Sequence, residues 1–528
     1  MAFTNGPIFG VRGEAVGLEG GRIAAIGDRS EVAGTVGDAE WIDLDGRMLV
    51  PGFQDAHVHP VMGGLMRLRC NLEPATDLET ALALIRSYAA DHPTAEWILG
   101  GGWSYSWFPG GNPPASLLDE ITDRPVLLGV ADGHSAWVNA TALRLAGIDA
   151  STPDPEGGVI VRRSDGVPQG TLHEAAMDLM EPVVPRDSPE DVRAALLESH
   201  DYLLSLGITA WQDAWVTPEI DEAYRGLAAS GRLRARVRGA QWWDRGRGKE
   251  QLDDILARAS DVVAGYVPRT VKLMLDGVCE NFTAAMLHPY LDPEGRPTDN
   301  AGVDFIDPEE LDEIVAAIDA AGLQCHFHAL GDRAVRNALD AIEKARRANG
   351  MKDTRPHLAH LQMIDPADVA RFADLDATAN IQPYWACADA AMTELTIPFL
   401  PRERVGLQYP FASLRDAGAR LAMGSDWSVS TPDVLQQIEV AVHRTKPSMR
   451  GAEPFLPEQA LSLEQALAAA TAGSAHVNFF DGDSGTIEVG KRADLVVLDG
   501  DPAKAGRISD ISVDLTIIGG EIVYRTQN

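Results

Sequence analysis

Residues 50–60 read Val-Pro-Gly-Phe-Gln-Asp-Ala-His-Val-His-Pro, and they decide how the rest of the chain is interpreted. An apolar run ends in Pro-Gly, and a short strand is predicted to follow. Side chains alternate between the two faces of a strand, so His57 and His59 share one face. Pro60 cannot donate to a sheet ladder, so the strand is predicted to end there. The two imidazoles are either ordinary polar residues or half of a metal site, whose other ligands must come from elsewhere in the chain.

Length and composition indicate a folded chain of more than one domain. The chain has 528 residues, of which 45% are hydrophobic and 23% are charged. The net charge of -33 argues against nucleic acid or an anionic membrane surface as a partner. The four cysteines (Cys70, Cys279, Cys325, Cys387) lie far apart, which favours free thiols in a reducing compartment. No secretory signal and no membrane-spanning run is recognised, so a cytoplasmic location is predicted.

The sequence pattern at both ends of the chain predicts short strands separated by glycines. Residues 23–27 and 41–46 show it near the start, and residues 493–500 and 515–524 near the end. Neither end has enough apolar residues for its own core. Residues 1–52 and 478–528 are therefore predicted to form one small β-domain, a β-sandwich built from both termini.

The middle of the chain is predicted to contain a long insertion and then a barrel. Residues from about 70 to 190 are turn-rich and aromatic, with a strand at 125–130, and a structureless loop of that size is improbable. A helix is predicted from Pro189 to Leu206, with Ser188 as its N-cap and Gly207 after its end. Strands and helices then alternate, with helices predicted at 308–321 and 333–349. The strands that follow the His57 strand are predicted at 208–213, 235–239, 271–275, 323–328, 357–361, 377–381 and 420–426.

Eight such strands with intervening helices predict a (β/α)8 TIM barrel of residues 53–477, with the insertion at about 70–190. Active sites of these barrels lie at the carboxyl ends of the strands. The polar residues at predicted strand ends are His57, His59, Lys272, His328, His360 and Asp426. His326 competes with His328, and His357 with His360. The later histidine of each pair is chosen because it lies nearer the strand end, which leaves the earlier ones as supporting or core residues.

Lys272 and Asp426 each allow two interpretations. Lys272 lies in an apolar strand, where a lysine is costly unless it is paired or modified. It is either a neutral or ion-paired core lysine, or a lysine carbamylated by CO2 whose carboxylate bridges two metal ions. Asp426 follows Gly424-Ser425 and is either a turn cap or a carboxylate that binds metal and transfers a proton.

Several motifs give the chain a family resemblance. They are PGFQDAHVHP, GITAWQDA, VKLMLDG, HFHALGDRAV, HLAHLQ, GSDWSV and the tail TIEVGKRADLVVLDGDP. With them the chain resembles the amidohydrolase superfamily of metal-dependent hydrolases, most of all its YtcJ-like, or amidohydrolase-3, branch, which includes N-substituted formamide deformylases. HLAHLQ departs from the pattern, because an arginine and an acidic residue more often precede the histidine. The departure affects local substrate contacts and leaves the metal assignment unchanged.

The resemblance implies the chemistry of the site. His57 and His59 would hold one metal ion, carboxylated Lys272 would bridge, and His328 and His360 would hold a second ion. The ions are expected to be two Zn, with Fe or Mn as alternatives. The expected reaction is hydrolysis of a C–N bond, in an amide, N-acyl or N-formyl group, by a metal-activated hydroxide, with Asp426 carrying the proton.

Substrate residues and rival functions remain open at this stage. An aromatic insertion suggests a small-molecule amide with an apolar or aromatic part. Candidate substrate contacts, each of which also allows a purely structural role, are Trp103, Asp132, His134, Glu174, Arg333 and Tyr384. A deaminase or a cyclic amide or imide hydrolase could use the same site, and an isomerase, a lyase or a non-catalytic binding protein fits less well. The full ligand set argues against the last of these. A homodimer is left open.

Overall fold

An eight-stranded parallel sheet, curved into a near-closed barrel, organises the chain. The structure is a computed structural model that describes residues 1–130, 133, 135–155 and 158–526. The sheet keeps the strands in sequence order, each parallel to the next. The strands are Phe53–Val58, Ile208–Val216, Arg236–Trp242, Tyr266–Met274, Gln324–Ala329, His357–His360, Thr378–Ile381 and Arg420–Met423. The predicted (β/α)8 fold is confirmed.

Hydrogen bonds join the first strand to the segment that follows the last. The Asp426 amide donates to the His57 carbonyl at 2.8 Å, and the His59 amide donates to the Trp427 carbonyl at 2.6 Å. Asn380 Nδ2 donates to the Ala56 carbonyl at 2.9 Å. Backbone hydrogen bonds thus hold His57 and His59 next to Asp426.

The helices that were predicted lie close to the positions expected. The helix Pro189–Ser205 begins with Ser188, whose hydroxyl accepts from the Asp191 amide at 3.2 Å. The predicted helices near 308 and 333 are Pro308–Ala320 and Asp332–Asn349. The remaining helices from residue 200 onward are Pro218–Ala229, Leu252–Ser260, Pro366–Val369, Arg371–Asp374, Phe411–Asp416, Val434–His443, Leu463–Ala468 and Ser474–Val477.

The chain divides into two compact units. One unit contains residues 1–59, 200–427 and 431–528, and the other contains residues 60–199 and 428–430. The second unit has a six-stranded mixed sheet and, among its described residues, four complete α-helices besides the larger part of Pro189–Ser205. In sheet order its strands are Gly158–Arg162, Pro168–Glu174, Ser135–Val138, Val126–Val130, Ile98–Trp103 and Cys70–Asn71. Its helices are Pro60–Leu68, Leu78–Asp91, Ser116–Asp119 and Ala140–Leu145.

Both chain ends contribute to two further four-stranded sheets in the first unit. In sheet order, one contains Arg22–Gly27, Ala15–Glu19, Ala2–Thr4 and Trp41–Asp43, and the other contains Glu521–Arg525, Val513–Ile518, Leu495–Leu498 and Met48–Pro51. The helix Arg29–Val36 follows the strand Arg22–Gly27. One hydrophobic cluster contains residues of both sheets, among them Phe3, Leu49 and Val497. The domain boundaries at 52/53 and 477/478 stay a prediction.

None of the helices described is long and apolar enough to cross a membrane. The four cysteines are buried and free.

Candidate metal centre

Three ligand atoms converge where the first strand meets the segment after the eighth. His57 Nε2 lies 3.3 Å from His59 Nε2. Asp426 Oδ1 lies 3.2 Å from His57 Nε2 and 3.0 Å from His59 Nε2. A tetrahedral zinc site with bonds of about 2.0–2.1 Å has ligand–ligand edges of roughly 3.3 Å, so this triangle has the dimensions of a metal site. His57 and Asp426 are also grouped with His360 as a set of close potential ligand atoms.

Burial keeps the His57 imidazole neutral, which is the form that binds metal. The pKa of His57 is lowered to about 3, with burial as the main cause and Lys272 as the next. Burial of Asp426 opposes its ionisation. The neighbouring His57, His59 and His360 outweigh that effect and hold the carboxyl pKa well below its ordinary value. The site therefore presents nitrogen lone pairs beside one carboxylate.

His360 is a further candidate ligand, next to Asp426. Its ring is buried, and neither nitrogen has a hydrogen-bond partner among the residues that the structure describes. His360 Nδ1 lies 3.8 Å from Asp426 Oδ2. Buried polar atoms are nearly always paired in folded proteins. A neutral imidazole keeps one nitrogen lone pair, and a buried, unpaired lone pair beside a carboxylate fits a cation bound by both side chains.

His328 packs next to His360, with ring centroids 4.4 Å apart. Its Nε2 donates to the Gly277 carbonyl at 3.3 Å, which leaves Nδ1 as the ring atom with a free lone pair. Burial lowers the pKa of His328 to about 3, with Lys272 as the next cause. His328 is thus a neutral imidazole, adjacent to the other candidate ligands.

Lys272 is buried, at 3% exposed, and no hydrogen bond or ion pair of its ammonium occurs within the described part of the chain. Burial lowers its pKa to about 7, although the Asp426 carboxylate acts in the opposite direction. Its backbone is in register with His326 on the next strand, and His326 with His357 on the one after. Lys272 therefore lies one row deeper in the barrel than His328 and His360.

The backbone is strained at two of the candidate ligands. His360 has a φ of 79° and Asp426 a φ of 55°, in the left-handed region that non-glycine residues rarely occupy. Such conformations cost of order 1–3 kcal/mol each and persist where surrounding contacts enforce them. Here His360 donates its amide hydrogen to Gln382 Oε1 at 2.5 Å, and Asp426 donates its own to the His57 carbonyl. Both strained residues point their side chains into the same cluster.

Asp55 and Gly424 both help to position His57. Asp55 Oδ1 accepts from the amides of His57 and Ser425, each at 3.0 Å, and burial raises its pKa to about 6. A Cβ on Gly424 would lie 2.6 Å from His57 Cβ and 2.8 Å from both Asn380 Oδ1 and Gln382 Nε2. Only glycine leaves room for His57 at this point.

We therefore expect Gly424→Ala to lower the free energy of unfolding by about 1–3 kcal/mol, the cost of overpacking a filled interior. The measurement is urea denaturation of both proteins. Gly482→Ala is the matched control, because a Cβ there meets nothing within 4 Å; its effect should stay within about 0.5 kcal/mol. Equal stability of Gly424→Ala and the wild type would show that His57 can move aside.

Of the six predicted substrate contacts, four are described and two are not. Trp103 is completely buried in the second unit and donates its indole hydrogen to the Leu128 carbonyl. Glu174 ends a strand of that unit with a φ of 50°. Arg333 pairs with Asp304, at 3.1 Å.

Tyr384, the fourth described candidate, has Lys446 Nζ 4.7 Å from its ring centre. Asp132 and His134 lie outside the described residues. The roles of the six residues as substrate contacts stay predictions.

The sequence interpretation missed several polar residues of the site. Gln212, Asn380 and Gln382 are completely buried and hydrogen-bonded around the histidines. A signal was present, because Gln212 and Asn380 are amide side chains within predicted buried strands of the barrel. Three tryptophans were also missed. Trp385 stacks on His360 with an interplanar angle of 9°, Trp215 lies edge-on to His59, and Trp242 contacts Trp215.

Comparisons with known proteins agree with this geometry. The sequence model of the Amidohydrolase family matches residues 40–524. The chain is 32% identical to Protein LONG AFTER FAR-RED 3 of Arabidopsis thaliana, over 99% of this chain and 91% of that protein. It is 31% identical to an N-substituted formamide deformylase of Arthrobacter pascens, over 97% of this chain and 95% of the enzyme. It is 30% identical to the putative amidohydrolase YtcJ of Bacillus subtilis, over 98% and 96% respectively.

A solved structure supports the fold in the same way. An uncharacterized metal-dependent hydrolase from Pyrococcus horikoshii OT3 superimposes with a TM-score of 0.76, at 23% identity, over 96% of this chain and 99% of that chain. The resemblance seen in the sequence motifs is thereby confirmed.

Proposed function

The chain belongs to the amidohydrolase family, metal-dependent hydrolases that act on carbon–nitrogen bonds, and we propose from this premise that it hydrolyses the amide bond of an N-acyl or N-formyl amine. One observation carries the proposal: His57 Nε2, His59 Nε2 and Asp426 Oδ1 form a triangle with edges of 3.0–3.3 Å. The deformylase relative supports the substrate class, since its name describes cleavage of N-substituted formamides.

The residues present fit two divalent ions. His57, His59 and Asp426 would hold one ion, His328 and His360 a second, and Lys272 as a carbamate would contribute a carboxylate to both. Zinc suits nitrogen and oxygen donors best, with iron or manganese as alternatives. When bound, such ions polarise a carbonyl and lower the pKa of a water molecule. The proposal explains the buried, unpaired lone pair of the His360 ring.

Asp426 is the proton carrier in this proposal. It is 4% exposed and ionised, because His57 and His59 hold its pKa well below the ordinary value. A carboxylate with Oδ1 against two imidazoles keeps Oδ2 available to accept a proton from the attacking water. The same oxygen can then return the proton to the leaving nitrogen, the usual work of a positioned acid–base group.

Three tryptophans favour a substrate with a flat apolar substituent. Trp215 is 39% exposed and packs on Trp242 at 5.4 Å between ring centres, while Trp385 lies parallel to His360 at 5.6 Å. Half-buried indoles beside a polar centre are typical of ligand sites, where they hold apolar groups and exclude water. We therefore favour N-benzyl-like or other aromatic amides over short aliphatic ones.

A cytoplasmic location accompanies the proposal, since four buried free thiols suit a reducing compartment. The net charge of -33 supports small molecules rather than nucleic acid as partners.

The test is a screen of N-formyl and N-acyl amines in which both the amine and the carboxylate released are measured. We expect equimolar amine and carboxylate, with aromatic N-substituents preferred. Ammonia without a carboxylate would instead identify a deaminase, the function named by two more distant relatives from Natronomonas pharaonis and Halobacterium salinarum.

Metal dependence is a separate expectation. Treatment with a chelator should lower the activity at least tenfold, and added zinc, iron(II) or manganese should restore it, because the ligand set has no other evident purpose. Metal content per chain is measured in parallel by plasma mass spectrometry. Full activity in protein shown to be metal-free would contradict the proposal.

A further inference from the structure

A column of buried polar side chains lies inside the barrel, beneath the proposed ligands. Its members are Arg238, Thr270, Gln324, Asn478, Gln212, His326, His357 and Asn380, all at most 5% exposed. We propose that this column fixes His57 in the tautomer that carries its proton on Nδ1 and a free lone pair on Nε2. Gln212 and His326 are then positioning residues. The proposal rests on the ligand role of His57 proposed above.

Gln324 determines the direction in which the hydrogen bonds of the column donate. Its Nε2 donates to the carbonyls of Arg355 and Val477 at 2.7 and 2.9 Å. Backbone carbonyls can only accept, so the amide of Gln324 cannot be reversed. Its Oε1 therefore faces inward, where it also accepts from Thr270 Oγ1 at 2.6 Å and Arg238 Nε at 3.3 Å.

Gln324 in turn orients Gln212. Gln212 Nε2 lies 3.3 Å from Gln324 Oε1 and 3.4 Å from Asn478 Oδ1, both acceptors. A reversed Gln212 would place its own oxygen against the oxygen of Gln324. Gln212 Oε1 is therefore the atom that faces His326 Nδ1 at 2.8 Å and His357 Nε2 at 2.9 Å. Both imidazole nitrogens must donate to it.

The protonated nitrogens of His326 and His57 follow next, because each neutral imidazole carries one N–H proton. His326 donates through Nδ1, so its Nε2 is an acceptor, and that atom lies 2.9 Å from His57 Nδ1. His57 Nδ1 must then carry the proton. His57 Nε2 is left with its lone pair, directed at His59 Nε2 and Asp426 Oδ1. The hydrogen bond to one nitrogen of a histidine thus selects which nitrogen is the ligand.

A second branch agrees with the first. His357 donates through Nε2, so its Nδ1 accepts from Asn380 Nδ2 at 3.1 Å. Asn380 Nδ2 also donates to the Ala56 carbonyl, which fixes the Asn380 amide. Its Oδ1 accepts from Gln382 Nε2 at 3.0 Å, and Gln382 Oε1 accepts from the His360 amide. Every polarity in the branch is consistent with Gln212 oriented as described.

The consequence is a metal site that is ready before metal arrives. Residues that hydrogen-bond to a ligating histidine typically change metal affinity 10–100-fold when they are replaced. The usual partner is a carboxylate or a backbone carbonyl. In this chain a neutral histidine fills that position, and an amide relay anchored on backbone carbonyls sets its tautomer.

The test measures zinc affinity of purified protein by competition with a chromophoric chelator, a readout independent of activity. His326→Leu removes the acceptor, so it should weaken zinc binding about 10–100-fold. His326→Gln keeps a donor for Gln212 and an acceptor for His57, so its affinity should stay within about threefold of wild type. His200→Leu removes another buried, hydrogen-bonded histidine that lies outside the column, and it should leave affinity unchanged.

Wild-type affinity in His326→Leu, or equal losses in the Leu and Gln variants, would overturn the inference. Wild-type protein that binds none of zinc, iron(II) and manganese would instead refute the proposed function itself. If His326→Leu does not fold, metal-free wild-type protein labelled with ¹⁵N-histidine decides the question. The ¹⁵N shifts of His57, assigned with His57→Gln, should place the proton on Nδ1, and a proton on Nε2 would refute the tautomer.

Discussion

Asp426→Asn is expected to lower kcat by about 10²–10⁴-fold, the loss typical of a removed acid–base group. Asparagine keeps the shape of the side chain and one oxygen beside His57 and His59, but it cannot accept a proton from water. Metal content should fall much less than kcat, since the other proposed ligands are unchanged. The measurement is steady-state kinetics on the best amide substrate, with metal content determined on the same sample.

Asp319→Asn is the control for Asp426→Asn. Asp319 is a buried carboxylate, 5% exposed, that accepts from Thr354 and Asn349 on the outer helix layer. Its replacement should lower the free energy of unfolding. It should leave kcat within about twofold, because Asp319 does not contact the proposed reacting groups. A nearly normal kcat in Asp426→Asn with metal retained would remove Asp426 from the chemistry.

The sequence was sufficient to predict the barrel, because its strands are buried on both faces and therefore form short apolar runs. Candidate ligands could be placed at strand ends by the rule that barrel sites lie there. The strand bounds were less accurate: the fourth strand is Tyr266–Met274, whereas residues 271–275 were predicted. Residues 266–270 include Pro268 and Arg269, which obscured the apolar pattern.

Depth within the barrel could not be predicted from the sequence. His326 and His328 share one face of a strand, so residue spacing does not distinguish them. The structure places His326 in register with Lys272 and His357, a row below His328. That row depends on how the strands are staggered when the sheet closes, which is a property of the whole barrel. The roles of Gln212 and Asn380 were missed for the same reason, since their partners are distant in sequence.

Lys272→Ala is expected to lose metal and activity together. The ammonium of Lys272 is buried without a described partner, and burial lowers its pKa to about 7, so a reactive neutral amine is accessible near neutral pH. The ammonium first loses one proton, and the neutral amine then bonds to CO2 with release of a second, which converts an unfavourable buried cation into an anionic ligand. Four neutral imidazoles and one carboxylate leave two divalent ions under-neutralised, and the carbamate adds a negative charge.

The expected loss of activity in Lys272→Ala is about a thousandfold or more, because metal ions contribute several kcal/mol to such reactions and each 1.36 kcal/mol is a factor of ten. Metal content should fall with it, and added short carboxylic acids should restore part of both. Lys352→Ala is the control, since Lys352 Nζ donates to the carbonyls of Asp319 and Ala320, away from the proposed ligands. In wild-type protein grown with ¹³C-bicarbonate, a carbamate carbon resonance should appear and be absent from Lys272→Ala. An unmodified amine beside a single ion, with full activity, would leave Lys272 as an ordinary amine and the site mononuclear.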